Sequence, residues 1–309
     1  MPAEGRDIYR NFAISLGLTE DKWVRAIDFR PSASSVVHHS LFFLDTTGTA
    51  AKKEAASGQV GTSGSMGGRV GASLAGAPSL GLGGWALGSQ ARSLPDGLAY
   101  RLPKGADLIL STHFHPSGKA EEEASTIAFY FADKPPVQRF MGVQIPVLFG
   151  YGAGIDIPAG SKNFSIEDSY VLPVDVKAFG ISAHAHYIAK DFKVTATLPD
   201  GKIKTLLRIP EWDFGWQEQY RFQEFVDLPK GTKLYAKITN DNSAENPRNP
   251  TSPPRRVKWG KESTDEMGSI TVQVVAAQES QFTTLQDAYR THVREMLVTG
   301  TLKKFGDKK

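Results

Sequence analysis

The stretch VVHHSLFFL, residues 36–44, decides the fold. Its β-branched, aromatic and aliphatic side chains flank a short polar centre, a composition that predicts a largely buried β-strand. Similar runs recur at residues 126–131, 192–198, 233–239 and 270–275. Leu-Pro-x-Gly sequences, which favour turns, begin at Leu94, Leu102, Leu198 and Leu228. Many short strands between turns predict an all-β chain built from β-sandwiches.

The C-terminal stretch is the one that predicts a clear helix. From Thr283 to Val298, apolar side chains recur at helical spacing, at Leu285, Tyr289, Val293 and Met296. Residues 303–309 form a polar tail. The expected helix is therefore a short addition to the all-β part of the chain.

Two segments lack a strand pattern. Residues 48–93 are rich in Gly, Ala and Ser, and we expect a flexible surface loop there. The alternative is a loop that borders an active site, because long loops within compact domains are often functional. Residues 241–254 are rich in Asn and Pro and predict an ordered loop filled with turns.

Composition excludes several classes of function. The 309 residues include 40% hydrophobic and 22% charged side chains, with a net charge of +3, as in globular proteins. Basic residues are scattered, which disfavours nucleic-acid binding, and no run of 18 apolar residues predicts a membrane span. The absence of cysteine excludes disulfides, thiolate zinc sites and cysteine nucleophiles.

Six of the seven histidines form three pairs, which are His38-His39, His113-x-His115 and His184-x-His186. Alternate residues of a strand point to one face, so each H-x-H pair can present two imidazoles to one ion. Adjacent His38 and His39 should face opposite sides, and both can bind one metal only where the strand ends, bulges or twists. The alternative is that these histidines are polar strand residues with ordinary hydrogen-bond partners.

A methionine points to the identity of the metal. Imidazole sites suit zinc, copper, iron or nickel, and a thioether ligand favours copper as Cu(I). Met267, in the sequence TDEM of residues 264–267, is the candidate thioether. Taken alone, a methionine more often fills a gap in a core.

The order of these motifs resembles the copper type II ascorbate-dependent monooxygenases, the family of the peptidylglycine α-hydroxylating and dopamine β-monooxygenases. The matching segments are VHHS (37–40), THFH (112–115), AHAH (183–186) and TDEM (264–267), with Asp213, Phe214 and Gln217 between the last two. The resemblance spans about residues 7–280. The loop SAENPRNP (243–250) resembles bacterial members of the family.

This resemblance implies an architecture and two sets of metal ligands. We expect two tandem jelly-roll-like β-sandwich domains, residues 1–140 and 141–282, followed by a C-terminal helix and tail, residues 283–309. The first domain would bind an electron-storing copper and the second a copper that binds oxygen and faces the substrate. The implied ligands of the first copper are His38, His39 and His113; those of the second, which are also the catalytic residues, are His184, His186 and Met267.

Two further histidines have less direct roles. The family's third ligand in the first site matches His113, so we expect His115 to be a neighbour that supports the site. His292 lies beside the apolar face of the expected helix, and we interpret it as structural.

The resemblance also implies an activity, namely hydroxylation of an aliphatic or benzylic C–H bond with O2 and ascorbate as the electron donor. Peptidylglycine enzymes bind the substrate carboxylate with a basic residue at the position that Ser182 occupies here, so we expect a neutral or aromatic substrate. One alternative is a copper-binding storage or electron-transfer module without oxygenase activity. Another is a non-copper β-sandwich or cupin-like enzyme in which H-x-H binds iron or zinc.

The expected partners are a small-molecule substrate, O2, and a redox domain that is fused to the chain or reduces it. We expect neither nucleic acid nor a membrane as a partner. The N-terminal sequence does not resemble a signal peptide, since it lacks a basic start and an apolar run. The family nevertheless implies a periplasmic or secreted location, which would make this chain a mature or excised domain.

Overall fold

The computed structural model describes residues 1–64 and 81–306, and side chains up to residue 299. The chain is mostly β, with 44% strand and 12% helix, so the predicted all-β class is confirmed. It divides into two compact units, Met1–Val137 and Gln138–Lys309. Among the described residues, no helix is both long and apolar enough to cross a membrane.

The first unit contains a five-stranded and a three-stranded sheet. Their strand orders are β4-β1-β7-β3-β5 and β6-β2-β8, with antiparallel neighbours. A core cluster combines Val24 and Phe29 of the smaller sheet with Phe42, Leu44 and Leu108 of the larger one. The elements are β1 (Ile8–Ser15), β2 (Lys22–Arg30), β3 (Val37–Asp45), α1 (Thr49–Ser57), β4 (Thr62–Ser63), β5 (Gly81–Ala86), β6 (Tyr100–Leu102), β7 (Asp107–Phe114) and β8 (Thr126–Phe131).

The second unit contains two four-stranded antiparallel sheets, β11-β16-β13-β14 and β15-β12-β18-β9, and the short pair β10-β17. Its core draws side chains from both larger sheets, for example Val194 and Ile238 from one and Ile181 and Val272 from the other. The strands are β9 (Phe140–Ile145), β10 (Asp156–Ile157), β11 (Phe164–Val171), β12 (Val176–Ala185), β13 (Ala189–Thr197), β14 (Ile203–Ile209), β15 (Gln219–Leu228), β16 (Lys233–Asn240), β17 (Val257–Lys258) and β18 (Gly268–Ala276).

The predicted C-terminal helix is present as α2, Phe282–Gly306. It begins one residue before Thr283 and continues past Val298 through part of the expected tail. Leu285 is fully buried, and the Tyr289 hydroxyl hydrogen-bonds both backbone groups of Gln144 in β9. These contacts attach the first half of α2 to the second unit. Val298 is 61% exposed.

The prediction of a loop over residues 48–93 is wrong in part. Residues 49–57 form α1, because the run TAAKKEAAS is made largely of strong helix formers. Residues 81–86 form β5, which pairs with β3. A Cβ on Gly84 would lie 2.7 Å from the backbone oxygen of Ser40, so glycine permits this close pairing. Residues 65–80 lie outside the described residues.

The segment 241–254 is a loop with many turns, as predicted. Asn242 is fully buried there, and its side-chain amide donates to the backbone oxygens of Ile157, Pro158 and Arg255. The loop is therefore fastened to the short pair β10-β17.

Candidate metal sites

A β-bulge brings the adjacent histidines of β3 together. In the pairing of β3 with β7, Val37 lies opposite Phe114 and His39 lies opposite His113. His38 is thus an extra residue on β3, with no counterpart on β7. Such a bulge rotates the strand locally, and this is the departure from regular geometry that two adjacent ligands require.

Three imidazole nitrogens meet at this bulge. Nδ1 of His38 lies 3.0 Å from Nδ1 of His113 and 2.9 Å from Nδ1 of His39. His113 is fully buried and His38 is 5% exposed. Within the described residues, these three side chains make up the one cluster of three or more His, Cys, Asp or Glu groups close enough to hold one metal ion.

Without a cation, the protons on these three nitrogens cannot satisfy both short contacts of His38. Nδ1 of His38 carries either one proton or one lone pair, so it can form one well-directed hydrogen bond but not two. A cation at the centre would accept all three lone pairs. Nitrogens that each lie about 2.0–2.1 Å from one ion in tetrahedral geometry are separated by roughly 3.3 Å, so the observed 2.9 and 3.0 Å are slightly shorter than the spacing around a shared metal.

Asp7 fixes the orientation of His113. Its carboxylate lies 2.8 Å from Nε2 of His113 and 2.6 Å from Nδ1 of His115. A carboxylate oxygen accepts the Nε2 proton of His113, which leaves Nδ1 with a lone pair directed at the cluster. Tyr9 stacks on the same imidazole, with centroids 4.2 Å apart. His115, at 48% exposure, lies outside the group of three and contacts Asp7.

Asp7 is a functional candidate that sequence reasoning missed. The residue lies about a hundred positions from His113, and antiparallel pairing of β1 with β7 sets Ile8 opposite Phe114 and Tyr9 opposite His113. The available signal was an acidic residue immediately before a strand. That signal becomes specific only when the strand order is known.

The second histidine pair lies at the end of β12, beside the start of β18. His184 is opposite Ser269, and Ala185 is opposite Gly268. The pairing ends there, and His186 and Met267 are the next residues of the two chains, at the same end of the two strands. The two imidazoles lie 5.5 Å apart between centroids.

Hydrogen bonds occupy the same nitrogen on both imidazoles. Nδ1 of His184 lies 2.7 Å from Oε1 of Gln217, whose amide nitrogen donates to the backbone oxygen of Phe214. Nδ1 of His186 lies 3.1 Å from the backbone oxygen of Asp265. Both partners are acceptors, so Nδ1 carries the proton and Nε2 keeps a lone pair for a metal in each ring.

A buried carboxyl group connects His186 with Met267. Glu266 is 0% exposed, and Oε1 accepts the backbone N–H of His186 at 2.5 Å and of Met267 at 2.8 Å. Oε2 accepts the N–H of Ile188 at 3.3 Å. Burial raises the pKa of Glu266 to about 8, although these backbone donors oppose the rise. Glu266 lies within the TDEM segment, where the sequence pattern predicts no role for it.

Aromatic rings border both imidazoles of this pair. The Phe149 ring meets the ring of His184 at 5.2 Å and 78°. Phe214 meets the ring of His186 at 5.9 Å, and Tyr187 packs on Phe214 at 4.1 Å. A ligand that reaches the Nε2 atoms would therefore meet a largely hydrocarbon border.

His292 belongs to neither group. Its ring packs 4.9 Å from that of Tyr170, at the contact between α2 and β11. Nearby Asp168 has a raised pKa because burial penalises its charged form. A hydrogen bond from the backbone N–H of Ser169 and the electrostatic attraction of His292 partly offset this rise in pKa.

Comparisons with known proteins leave the family open. No protein-family model and no curated protein matches the chain. Among solved structures, it is similar to the VP2 subviral particle of infectious bursal disease virus, at 10% identity and a TM-score of 0.25, over 90% of this chain and 70% of that chain. The T13 particle of the same virus matches at 11% identity and a TM-score of 0.24, with the same coverage. Likeness at this level carries no argument about function.

Proposed function

We propose that the protein is a copper-dependent monooxygenase that hydroxylates an aliphatic or benzylic C–H bond with O2 and an ascorbate-type reductant. The observation that carries this proposal is the presence of two separate histidine groups, one in each unit. Hydrogen-bond acceptors fix the tautomers of His113, His184 and His186 so that the other ring nitrogen of each can bind a metal. The proposal includes two β-sandwich domains of the jelly-roll type and membership of the copper type II ascorbate-dependent family.

In the first unit, the proposed ligands use Nδ1. His38, His39 and His113 bring three imidazole nitrogens together, and Asp7 holds the tautomer of His113 that exposes its lone pair. An all-nitrogen set without a thiolate suits an ion that changes between Cu(I) and Cu(II). We assign electron storage to this site.

In the second unit, the proposed ligands are His184 and His186 through Nε2 and Met267 through its thioether. Gln217 and the backbone oxygen of Asp265 hold the required tautomers. A thioether favours Cu(I), and bound copper would supply one-electron oxygen chemistry at this site. The chain's own contribution is to orient the ligands and to border them with the hydrocarbon of Phe149, Phe214 and Tyr187.

The substrate we propose is neutral or aromatic. Ser182, where a carboxylate-binding cation would stand, is partly buried and flanked by buried Ile181 and Ala183. A periplasmic or secreted protein reduced by ascorbate or by a partner redox domain would agree with this chemistry.

Coupled turnover tests the function. The full chain is loaded with copper and supplied with O2, ascorbate and a panel of benzylic and aliphatic compounds. We expect product with one added oxygen atom, labelled by 18O2, and loss of product in His184→Ala, with His292→Ala as the control that stays active. Ascorbate oxidation without product across the panel would contradict the proposal.

A copper storage or electron-transfer module is the second candidate. The observation that favours it is that the first group is complete by itself, with three imidazoles within ligand distance. Such a protein would bind and release copper or electrons through His38, His39 and His113. Met267→Leu would then leave its behaviour unchanged.

A further inference from the structure

A strained segment lies against the second histidine pair. Within residues 1–64 and 81–306, Leu148 and Phe149 are the non-glycine residues with positive φ, at 51° and 57°. L-residues rarely adopt this region, because Cβ approaches the following carbonyl oxygen. Strain of this kind persists where the surrounding structure imposes it, and such positions concentrate at binding and catalytic sites.

Specific hydrogen bonds impose this conformation. The side-chain oxygen of Gln144 accepts the N–H of Phe149 at 3.2 Å, and the indole of Trp259 donates to its carbonyl oxygen at 3.0 Å. The Tyr289 hydroxyl in turn bonds both backbone groups of Gln144. Residues from β9, α2 and the chain before β18 therefore cooperate to hold one short segment.

The segment touches both sides of the candidate site. The edge-on contact of Phe149 with His184 is one side. On the other side, a Cβ added to Gly150 would lie 2.9 Å from the backbone oxygen of Gly268, the residue that follows Met267. Leu148, which precedes Phe149 in the chain, is 36% exposed, and its side chain is therefore accessible to a ligand.

The geometry points to a binding surface on Leu148 and Phe149 for the non-reacting hydrocarbon part of the substrate. This inference rests on the proposed function and adds to it the two residues that would select neutral molecules with an aryl or branched alkyl group. A fixed apolar surface beside the reacting centre improves both the affinity and the orientation of such a group.

Direct binding and discrimination test the inference together. The copper-loaded full chain is titrated with 2-phenylethanol and with propan-1-ol, and Kd is measured by ligand-observed NMR without reductant. We expect Leu148→Ala to raise the Kd for 2-phenylethanol about fivefold to tenfold and to change the Kd for propan-1-ol less than twofold. Ile203→Ala, another exposed aliphatic change in the same unit, is the matched control and should change neither.

Variants at Phe149 separate the ring from the strain. Phe149→Ala removes the ring but retains the backbone strain of a positive φ. Phe149→Gly removes the ring and the strain. We expect the two variants to lose 2-phenylethanol affinity to a similar extent, because the ring provides the contact. If Gly binds as wild type does while Ala does not, strain and not the ring controls binding, and the inference is wrong.

The outcomes distinguish this inference from the proposed function. If the wild-type chain binds 2-phenylethanol and Leu148→Ala loses it, the surface is established even when no hydroxylated product forms. If hydroxylation occurs and the ratio of kcat/KM for the two alcohols is unchanged in Leu148→Ala with two coppers bound, the surface assignment is overturned and the monooxygenase proposal stands.

Discussion

Glu266→Gln in the metal-free protein is the most informative single substitution. Gln keeps the size of the side chain and one acceptor oxygen, which can stay with the N–H groups of His186 and Met267. Its NH2 group then faces the N–H of Ile188, which Oε2 accepts in the wild type at 3.3 Å. One buried donor without a partner costs about 1–3 kcal/mol, and we expect a loss of this size below pH 5.

The cost should shrink as pH rises, for a reason with a definite sign. Burial raises the pKa of Glu266 to about 8, from an ordinary value of 4.5. A carboxyl whose folded pKa lies above its unfolded pKa stabilises the fold fully below the unfolded value, and this contribution disappears as pH rises through the folded value. Each pH unit between the two values removes about 1.4 kcal/mol from the wild type, and Gln has no such dependence.

The assay is urea unfolding of the metal-free full chain from pH 4.5 to 8, followed by circular dichroism. The stability of Glu266→Gln relative to wild type should rise with pH by roughly 1 kcal/mol per unit. Glu224→Gln, an exposed change in the same unit, is the matched control and should show no such trend. A stability difference that stays constant across this range would refute the reasoning, because Glu266 would then have the same charge in the folded and unfolded chains.

The other predictions concern ligands and substrate. Asp7→Asn should weaken the first copper site about tenfold to a hundredfold and spare the second, as measured by chelator competition; equal weakening of both sites would argue against the role of Asp7. Met267→Leu should change unfolding by less than about 1.5 kcal/mol and remove a sulfur scatterer from the X-ray absorption spectrum of the reduced protein, whereas an unchanged spectrum would make Met267 a core residue. Glycine-extended peptides should be poorer substrates than benzylic or phenethylamine-like compounds, and a clear preference for such peptides in kcat/KM would mean that another residue replaces the missing cation at Ser182.

The histidine pattern was informative because strand geometry is regular. The spacing of His184 and His186 places both on one face without further information. For His38 and His39 to bind one metal, the strand had to end, bulge or twist there, and the structure contains a bulge. All-β architecture followed from short apolar runs between Leu-Pro-x-Gly turns.

The supporting residues could not be predicted in the same way. Asp7 reaches His113 through the order of strands in a sheet, and Glu266 gains its role from a turn between β12 and β13. The local signal for Asp7, an acidic residue before a strand, is not specific without the strand order, and the contacts of Glu266 have no local signal. Helix α1 was missed because the Gly and Ser content of residues 48–93 masked a nine-residue segment with good helix propensity.

The central claim is that each unit binds one copper through its own histidine group, and copper stoichiometry in three matched variants tests it most directly. The full chain is reconstituted, freed of loosely bound metal and analysed for every first-row metal. The account predicts two coppers for wild type and for His292→Ala, and one copper each for His39→Ala and His184→Ala. A single zinc or iron per chain, or two coppers that both survive His184→Ala, would contradict it.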